Sequence, residues 1–189
     1  MKRSNPPSHH RYAAYVEQEK PVRIKITSLG SAAAGKSCLI KRFCEGRFVQ
    51  KYIATIGVDY GVKPHKVNGQ DTRVNFWDLS GQPDFFEVRN EFYKDTQGLL
   101  LVYDVSDAQS FDELDTWMAE ARKHGLKKCP GALCANKVDM RREVSEDEGR
   151  EWAKANGMRY FETSAATGAS VAEMFEYLFE EVVPKRGSL

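Results

Sequence analysis

The chain has 189 residues, a formal net charge of +1 and 41% hydrophobic residues, which together indicate one globular domain of ordinary composition. The near-zero charge argues against a nucleic-acid partner and against attraction to an anionic membrane. No apolar run reaches the length of a membrane span, and the first residues lack the apolar core of a signal peptide. The four cysteines show no Cys-x-x-Cys spacing, which predicts free thiols in the reducing environment of the cytoplasm.

Three segments are predicted along the chain. Residues 1–20 are polar and include Pro6-Pro7 and His9-His10, so we expect a flexible tail there and not a metal site. A single domain is predicted over residues 21–184, with a short tail over 185–189. The chain ends without a prenylatable cysteine, so no lipid anchor is expected in this chain.

Strand and helix signals alternate from Val22 onward. The strands are predicted at residues 22–29, 59–67, 72–79, 98–104, 132–135 and 159–162. Asn68-Gly69, between the second and third strands, is a strong hairpin signal. The order predicts an α/β fold, with a six-stranded, mainly parallel sheet, one antiparallel edge strand and helices on both faces.

The first helix is predicted over residues 38–43, and three later helices are each predicted to begin with a capping box, in which serine precedes glutamate by three residues. These pairs are Ser110/Glu113, Ser145/Glu148 and Ser170/Glu173. Apolar residues recur at helical spacing in two of these segments, which indicates faces that pack on the core.

Residues 30–37 read Gly-Ser-Ala-Ala-Ala-Gly-Lys-Ser and fit the phosphate-binding pattern Gly-x-x-x-x-Gly-Lys-Ser/Thr between a strand and a helix. Gly30 and Gly35 allow backbone angles that turn several N–H groups toward phosphate oxygens. The following helix N-terminus adds positive potential, and Lys36 adds a full charge. Ser37 offers its hydroxyl oxygen to Mg²⁺. This motif predicts a nucleoside triphosphate ligand without naming the base.

Asp78 lies near the end of the third predicted strand, and Gly81 and Gln82 follow that strand. Ligands of such sheets bind beyond the carboxyl ends of the strands. Asp78 is predicted to support Mg²⁺ through water, and Gly81 allows close approach of the backbone to the terminal phosphate. The neutral amide of Gln82 is suited to orienting an attacking water. Thr55, between the first helix and the hairpin, is predicted to complete the Mg²⁺ shell.

Asn136-Lys-Val-Asp139 follows the fifth strand and predicts the base. Guanine presents N1–H and an amino group side by side, and the Asp139 carboxylate can accept from both. Adenine lacks that donor pair, so we expect discrimination on the order of 10⁴-fold. The Lys137 stem is expected over the base, and Asn136 is expected to join this loop to the phosphate loop.

Further contacts are predicted from position alone. The N–H of Ala165, after the last strand, faces the guanine carbonyl in this scheme. Phe48 is expected edge-on against the base, and Tyr52 over the phosphates, although ordinary packing explains these two aromatic residues equally well.

With these motifs in order, the chain resembles the Ras superfamily of small GTPases over about residues 22–183. Residues 41–45, 54–61 and 77–79 look Rab-like, and residues 86–98 and 133–139 are similar to signature stretches of the RJL subfamily, Rab-like GTPases that often carry a C-terminal J domain. The resemblance implies the P-loop NTPase fold of small GTPases. The chain has no J domain, so a J-less member and a shortened chain are both expected alternatives.

The resemblance also implies ligands and roles: GTP or GDP with Mg²⁺ held by Ser37, Thr55 and Asp78, and hydrolysis that depends on Gln82, Lys36 and Thr55. The implied nucleotide-binding residues are Ala33, Ala34, Gly35, Lys36, Ser37, Cys38, Phe48, Tyr52, Thr55, Gly81, Asn136, Lys137, Asp139, Ser164, Ala165 and Ala166. Residues 50–60 and 80–93 correspond to the two switches, where effector, exchange-factor and activating proteins are expected to bind a monomer.

Three departures from the family pattern bear on the reaction. Ala33 replaces a usual glycine and narrows the space where a partner's arginine finger reaches the γ-phosphate, which predicts slow hydrolysis. Pro83 replaces an acidic residue and stiffens the second switch, and Ser80 replaces alanine. A hydrolysing switch is the leading hypothesis, a guanine-nucleotide-binding scaffold with negligible turnover is the second, and an ATP-using kinase is disfavoured by Asp139.

Overall fold

The computed structural model describes residues 20–185. The predicted N-terminal tail, apart from residue 20, and residues 186–189 of the predicted C-terminal tail lie outside the described residues. The sheet strands are β1 (Val22–Leu29), β2 (Val58–Val67), β3 (Gln70–Leu79), β4 (Gly98–Asp104), β5 (Gly131–Asn136) and β6 (Arg159–Glu162). The helices are α1 (Lys36–Glu45), α2 (Phe86–Asn90), α3 (Ala108–Asp112), α4 (Leu114–Lys123), α5 (Glu146–Ala155) and α6 (Val171–Val182), with a 3-10 turn at Pro83–Phe85.

The six strands form one sheet in the order β2-β3-β1-β4-β5-β6. All neighbours run parallel except β2 and β3, which pair antiparallel from Val58 opposite Leu79 to Val67 opposite Gln70. Asn68 and Gly69 form the turn with φ of 49° and 76°, as a two-residue hairpin of this type requires. The predicted fold class, sheet and edge hairpin are therefore confirmed.

The two faces of the sheet carry separate apolar cores. On one face, Leu39 of α1 and Phe175 of α6 pack against strand residues such as Ile24. On the other face, Leu114 of α4 packs against alternate strand residues such as Leu101. All seven residues of β4 are buried, which explains its continuous apolar sequence.

One of the three predicted capping boxes is confirmed. The Ser145 hydroxyl accepts from the Glu148 N–H at 3.3 Å, and the Glu148 carboxylate accepts from the Ser145 N–H at 2.9 Å. This reciprocal pair satisfies two N–H groups at the start of α5.

The other two predicted capping boxes are wrong. Asp107 caps α3 by accepting from the Gln109 N–H at 3.1 Å, so Ser110 lies within the helix. At the start of α6, Ser170 has a φ of 51°, and its side chain makes no capping bond. A left-handed N-cap directs its side chain away from the first turn, which the spacing of serine and glutamate cannot reveal.

The carboxyl ends of the parallel strands meet at one edge of the sheet. The loop after β1, the segment after β3 and the loops after β5 and β6 therefore lie side by side, and the site is found there. Within residues 20–185, no helix has the length and apolar composition needed to cross a bilayer.

Candidate guanine-nucleotide site

The loop between β1 and α1 can be built only with glycine at its two ends. Gly30 has a φ of 134°, and a Cβ there would lie 2.0 Å from the Val102 carbonyl oxygen. Gly35 has a φ of 98°, and a Cβ would lie 2.2 Å from the Asn136 amide nitrogen. Gly35 is also the N-cap of α1 and supplies no side-chain cap, which leaves the first N–H groups of α1 open to an anion.

Lys36 lies under this loop and is only 6% exposed. Its ammonium donates to the carbonyl oxygens of Gly30 at 2.7 Å and Ser31 at 2.9 Å. Burial lowers the pKa of Lys36 to about 8, although the nearby Asp78 carboxylate opposes that shift. The charge is thus held at the loop by carbonyl groups and lacks a directly bonded anion among the described residues.

The three residues predicted to hold Mg²⁺ converge in the structure. The hydroxyls of Ser37 and Thr55 are 3.0 Å apart, and Ser37 donates a short hydrogen bond to Asp78. Asp78 is 3% exposed and also accepts from Ser28 at 2.6 Å.

Two hydroxyls and one carboxylate form a hard oxygen donor set, which suits Mg²⁺ that keeps water and phosphate oxygens as its remaining ligands. Residues 20–185 contain no cluster of three or more His, Cys, Asp or Glu side chains that could hold a metal by themselves. The residues present therefore fit an ion that arrives together with phosphate groups.

Gly81 packs directly on the phosphate loop. A Cβ at Gly81 would lie 2.3 Å from the Ala32 nitrogen and 2.6 Å from the Gly30 carbonyl oxygen. Gln82 follows with an extended backbone, and its N–H donates to the Ser80 hydroxyl at 3.3 Å. Ser80, one of the family departures, thus stabilises the turn that presents Gln82.

Arg89 anchors the same segment to α4. It is 5% exposed and donates to both carboxylate oxygens of Glu120, at 2.6 and 2.8 Å, and to the Gln82 carbonyl at 2.7 Å. Its guanidinium lies 4.7 Å from the centre of the Trp117 ring, and Tyr93 donates a short hydrogen bond to Glu120. Burial opposes ionisation of Glu120, but the bonds from Arg89 and Tyr93 outweigh it and lower its pKa.

The loops after β5 and β6 are joined by side-chain hydrogen bonds. The Asn136 amide donates to the Ala34 carbonyl at 2.9 Å, which confirms the predicted link between the base loop and the phosphate loop. Its oxygen accepts from the Ala165 N–H at 3.3 Å. Asp139 accepts from the Ser164 hydroxyl at 2.5 Å, so one of its oxygens is positioned by the protein.

Lys137 has a φ of 66° and directs its ammonium to Asp104, 2.5 Å away, at the end of β4. This ion pair fixes the head of the side chain and leaves its stem along the cavity wall. Phe48 and Tyr52 lie on the same wall with 39% and 58% exposure, so neither packs fully into the core.

These groups surround an open cavity of about 580 Å³. The predicted site residues on its wall are Ala33, Gly35, Lys36, Ser37, Cys38, Phe48, Tyr52, Thr55, Gly81, Gln82, Asn136, Lys137, Asp139, Ala165 and Ala166. Ala34 and Ser164 are buried behind the wall, where they contact Asn136 and Asp139, and Asp78 lies below Ser37.

Ala33 lies on the cavity wall with a φ of 61°. This left-handed conformation costs an L-residue about 1–2 kcal/mol, a penalty that glycine avoids. Ala33 therefore differs from the glycine usual in the family in two ways, because its backbone is strained and its side chain adds a methyl group.

Sequence reasoning missed several residues that support the site. Asp104 could have been found, because it ends a buried strand at the same edge as Asp78 and Asn136. Arg89 and Glu120 lie 31 positions apart on different helices, and no local pattern links them. No local pattern links Ser31 to its partners either. Its hydroxyl donates to Glu113 at 2.5 Å and accepts from the Trp117 indole at 3.2 Å.

The mixed sheet, the phosphate loop at the end of β1 and the Asn136–Asp139 loop together define the class of small GTPases. Comparison with known proteins agrees, because the family model of the Ras family matches residues 25–184. The chain belongs to the Ras family.

Curated relatives narrow the comparison. The chain is 52% identical over 174 residues to DnaJ homolog subfamily C member 27 of Bos taurus and 51% identical over 174 residues to that of Homo sapiens. It is 48% identical over 177 residues to DnaJ homolog subfamily C member 27-B of Xenopus laevis. Each match covers 88% of this chain and 64% of the relative, so the chain spans less than two thirds of their length. These relatives confirm the predicted resemblance to the Rab-like RJL subfamily.

Proposed function

We propose that the chain is a molecular switch that binds GTP or GDP with Mg²⁺ and hydrolyses GTP. The observation that carries the proposal is the convergence of Ser37, Thr55 and Asp78 beside the buried Lys36, with Gln82 on the same cavity wall. Such a set contains the positive charge, hard oxygen ligands and amide that phosphoryl transfer to water requires.

In this proposal the chain's own residues act mainly by position and charge. Lys36 contacts the β- and γ-phosphates, and the anion raises its lowered pKa so that it stays charged. Gln82 accepts a hydrogen bond from the attacking water and donates to the phosphate, while Arg89 holds its backbone. When bound at Ser37 and Thr55, Mg²⁺ neutralises charge on the phosphate oxygens.

The base-binding residues in the proposal are Asn136, Lys137, Asp139 and Ala165. Asp139 accepts from the two donors on the guanine edge with the geometry that Ser164 supports. We infer that residues 50–60 and 80–93 change with the terminal phosphate and form the surface for regulators and effectors, because Thr55 and Gly81 belong to them.

Single-turnover phosphate release from protein preloaded with GTP tests this function, with Gln82→Leu as the matched variant. No hydrogen bond to the Gln82 side chain is found within residues 20–185, so the substitution leaves the loop contacts intact. We expect release to slow by about 10²-fold while GDP affinity is unchanged. Equal rates in the two proteins would remove Gln82 from the mechanism.

A scaffold with negligible turnover is the second candidate, favoured by Ala33 on the cavity wall and by Pro83 at the start of the 3-10 turn. It predicts that purified protein retains GTP and releases no phosphate. Mass analysis of the retained nucleotide separates the candidates, since GDP supports the switch and GTP supports the scaffold. Retained ATP would revive the kinase alternative.

A further inference from the structure

Arg42 of α1 reaches across to the loop after β6. Its Nε donates to the Ala165 carbonyl at 2.8 Å, and its Nη2 donates a short hydrogen bond to the Ala166 carbonyl. A third donor, Nη1, contacts the Gly46 carbonyl at the end of α1 at 3.1 Å. One half-buried guanidinium therefore ties the last turn of α1 to two consecutive peptide groups more than 120 positions away in sequence.

The bond to the Ala165 carbonyl fixes the direction of a neighbouring donor. A trans peptide group is planar, so the Ala165 C=O and the Ala166 N–H point in opposite directions. Ala165 and Ala166 line the cavity, whereas Arg42 is not among the described residues that line it. With the carbonyl held toward Arg42, the Ala166 N–H is turned toward the cavity.

The two N–H groups of this loop differ in their present partners. The Ala165 N–H makes a long bond, 3.3 Å, to the Asn136 side-chain oxygen. The Ala166 N–H donates to no group within residues 20–185. A ligand carbonyl oxygen that approaches the loop from the cavity would therefore meet one free donor and one weakly engaged donor.

We propose that Arg42 is a positioning residue for base selectivity, which directs the Ala166 N–H, next to the Ala165 N–H, at the 6-oxo group of guanine. The proposal rests on the proposed function, because it presupposes a guanine nucleotide in the cavity. Lysine cannot replace Arg42, since a single ammonium lacks the planar fork that bonds two adjacent carbonyls at fixed angles.

Two nucleotide analogues isolate the two sides of base recognition. In 6-thio-GDP a sulfur, which accepts hydrogen bonds poorly, replaces the 6-oxygen, whereas IDP keeps that oxygen and lacks only the amino group that faces Asp139. The experiment measures the dissociation constants of GDP, 6-thio-GDP and IDP for the wild-type chain, Arg42→Lys and Arg42→Met. Arg150→Lys is the control, because Arg150 also lies on a helix but pairs with the exposed Glu146.

We expect wild type and Arg150→Lys to bind GDP about tenfold more tightly than 6-thio-GDP. In both Arg42 variants, the ratio of the 6-thio-GDP dissociation constant to the GDP dissociation constant should fall toward one. The ratio of the IDP dissociation constant to the GDP dissociation constant should stay at the wild-type value. A purely structural role would weaken all three ligands equally and leave both ratios unchanged, which would overturn the proposal. Thermal unfolding of each variant separates a folding defect from a loss of selectivity.

Failure of the proposed function gives a different result. If the wild-type chain binds ADP as tightly as GDP, the guanine-nucleotide function itself is wrong. If wild type selects GDP over ADP but the Arg42 variants keep the wild-type ratio of GDP to 6-thio-GDP, only the positioning role is wrong.

Discussion

The proposed site has a base-binding half and a phosphate-sensing half, and the two differ in how firmly their side chains are bonded to the rest of the protein. In the base-binding half, residues 136–140 and 163–168, the side chains of Asn136 and Asp139 already bond to other parts of the protein. In the phosphate-sensing half, residues 50–60 and 80–93, Tyr52, Ile53 and Ile56 are 58%, 66% and 81% exposed.

This difference separates selectivity from response. We expect the Asn136 and Asp139 side chains, which are fixed by internal bonds, to keep their positions whether or not a nucleotide is bound. Thr55, by contrast, has only the Ser37 hydroxyl as its side-chain partner within residues 20–185, so its position depends on what occupies the cavity. Segments with few internal bonds open at low free-energy cost, which suits a switch.

The phosphate-sensing half is itself divided. Its second segment is tied to α4 by the buried Arg89–Glu120 pair, whereas no side chain of residues 50–54 makes a hydrogen bond within the described part of the chain. We therefore expect the first segment to move more readily than the second when the terminal phosphate leaves.

Single substitutions can disable one half of the site at a time. Loss of a contact to the base should have a far greater effect than relief of backbone strain in the phosphate-binding loop.

Asp139→Asn should disable the base-binding half alone. The amide replaces one of two acceptors with a donor, so GDP affinity is expected to fall on the order of 10⁴-fold. Xanthosine diphosphate, which carries a 2-oxo acceptor, should gain affinity. Equilibrium binding of both nucleotides checks this, with Asp147→Asn on the exposed face of α5 as control. If the two halves are independent, the variant should hydrolyse bound XTP at the wild-type GTP rate.

Gly81→Ala should disable the phosphate-sensing half alone. The added methyl cannot fit against the Ala32 and Gly30 backbone, so the segment must shift away from the phosphate loop. A displacement of about 1 Å costs on the order of 10²-fold in rate. Single-turnover GTP hydrolysis should slow by that factor while the selectivity for GDP over ADP persists. Gly61→Ala, where a Cβ meets open space, should leave both unchanged.

Glu120→Gln should weaken the anchor of the second segment, because it leaves the buried Arg89 charge without its carboxylate. We expect the free energy of unfolding to fall by about 2 kcal/mol at pH 7, measured by urea denaturation. The pKa of Glu120 is lowered from its ordinary 4.5 in the folded state, so the pair's stabilisation is complete above 4.5 and is lost as pH falls through the folded value.

The difference between wild type and Glu120→Gln should therefore persist at pH 5 and shrink at lower pH. Glu146→Gln is the control, since its pair with Arg150 is exposed to solvent and should contribute little to the free energy of unfolding. A pH-independent difference would show that packing, and not charge, is lost at Glu120.

Ala33→Gly, on the loop where the two halves meet, should have a small effect on the free energy of unfolding. Its sign should be opposite to that of Glu120→Gln. Glycine adopts a φ of 61° without strain, so we expect the free energy of unfolding to rise by about 1 kcal/mol. Urea denaturation measures it. Ala34→Gly, in the same loop but without a positive φ, should instead destabilise, and equal effects at the two positions would contradict the strain.

The sequence located most of the fold because its strands are strongly patterned. Strands β1, β4 and β6 begin and end where predicted, and the Asn68-Gly69 turn fixes the register of the hairpin. The predicted caps at Ser110 and Ser170 failed, because capping depends on backbone angles and on competition from neighbours such as Asp107.

The candidate site was predictable where its residues belong to a local motif or end a strand. Lys36 and Ser37 were found from the spacing of the phosphate-binding loop. Asp78 and Asn136 were found because the carboxyl ends of parallel strands meet at one edge. Arg42 and Arg89 were missed, since each lies on a helix and bonds to backbone groups whose position depends on the tertiary fold. Side chains that position a loop without lining the cavity carry no sequence motif of their own.

The hydrogen bond from the Trp117 indole to Ser31 has a spectroscopic consequence. Of the three tryptophans, Trp77 packs beside Tyr60 and Trp152 donates to Asp115, so Trp117 is the one whose ring nitrogen bonds to the phosphate loop. Indole emission responds to changes at its N–H, and the chain therefore carries a built-in fluorophore at the loop. Nucleotide binding and release should be visible in the unlabelled protein, in real time and at low concentration.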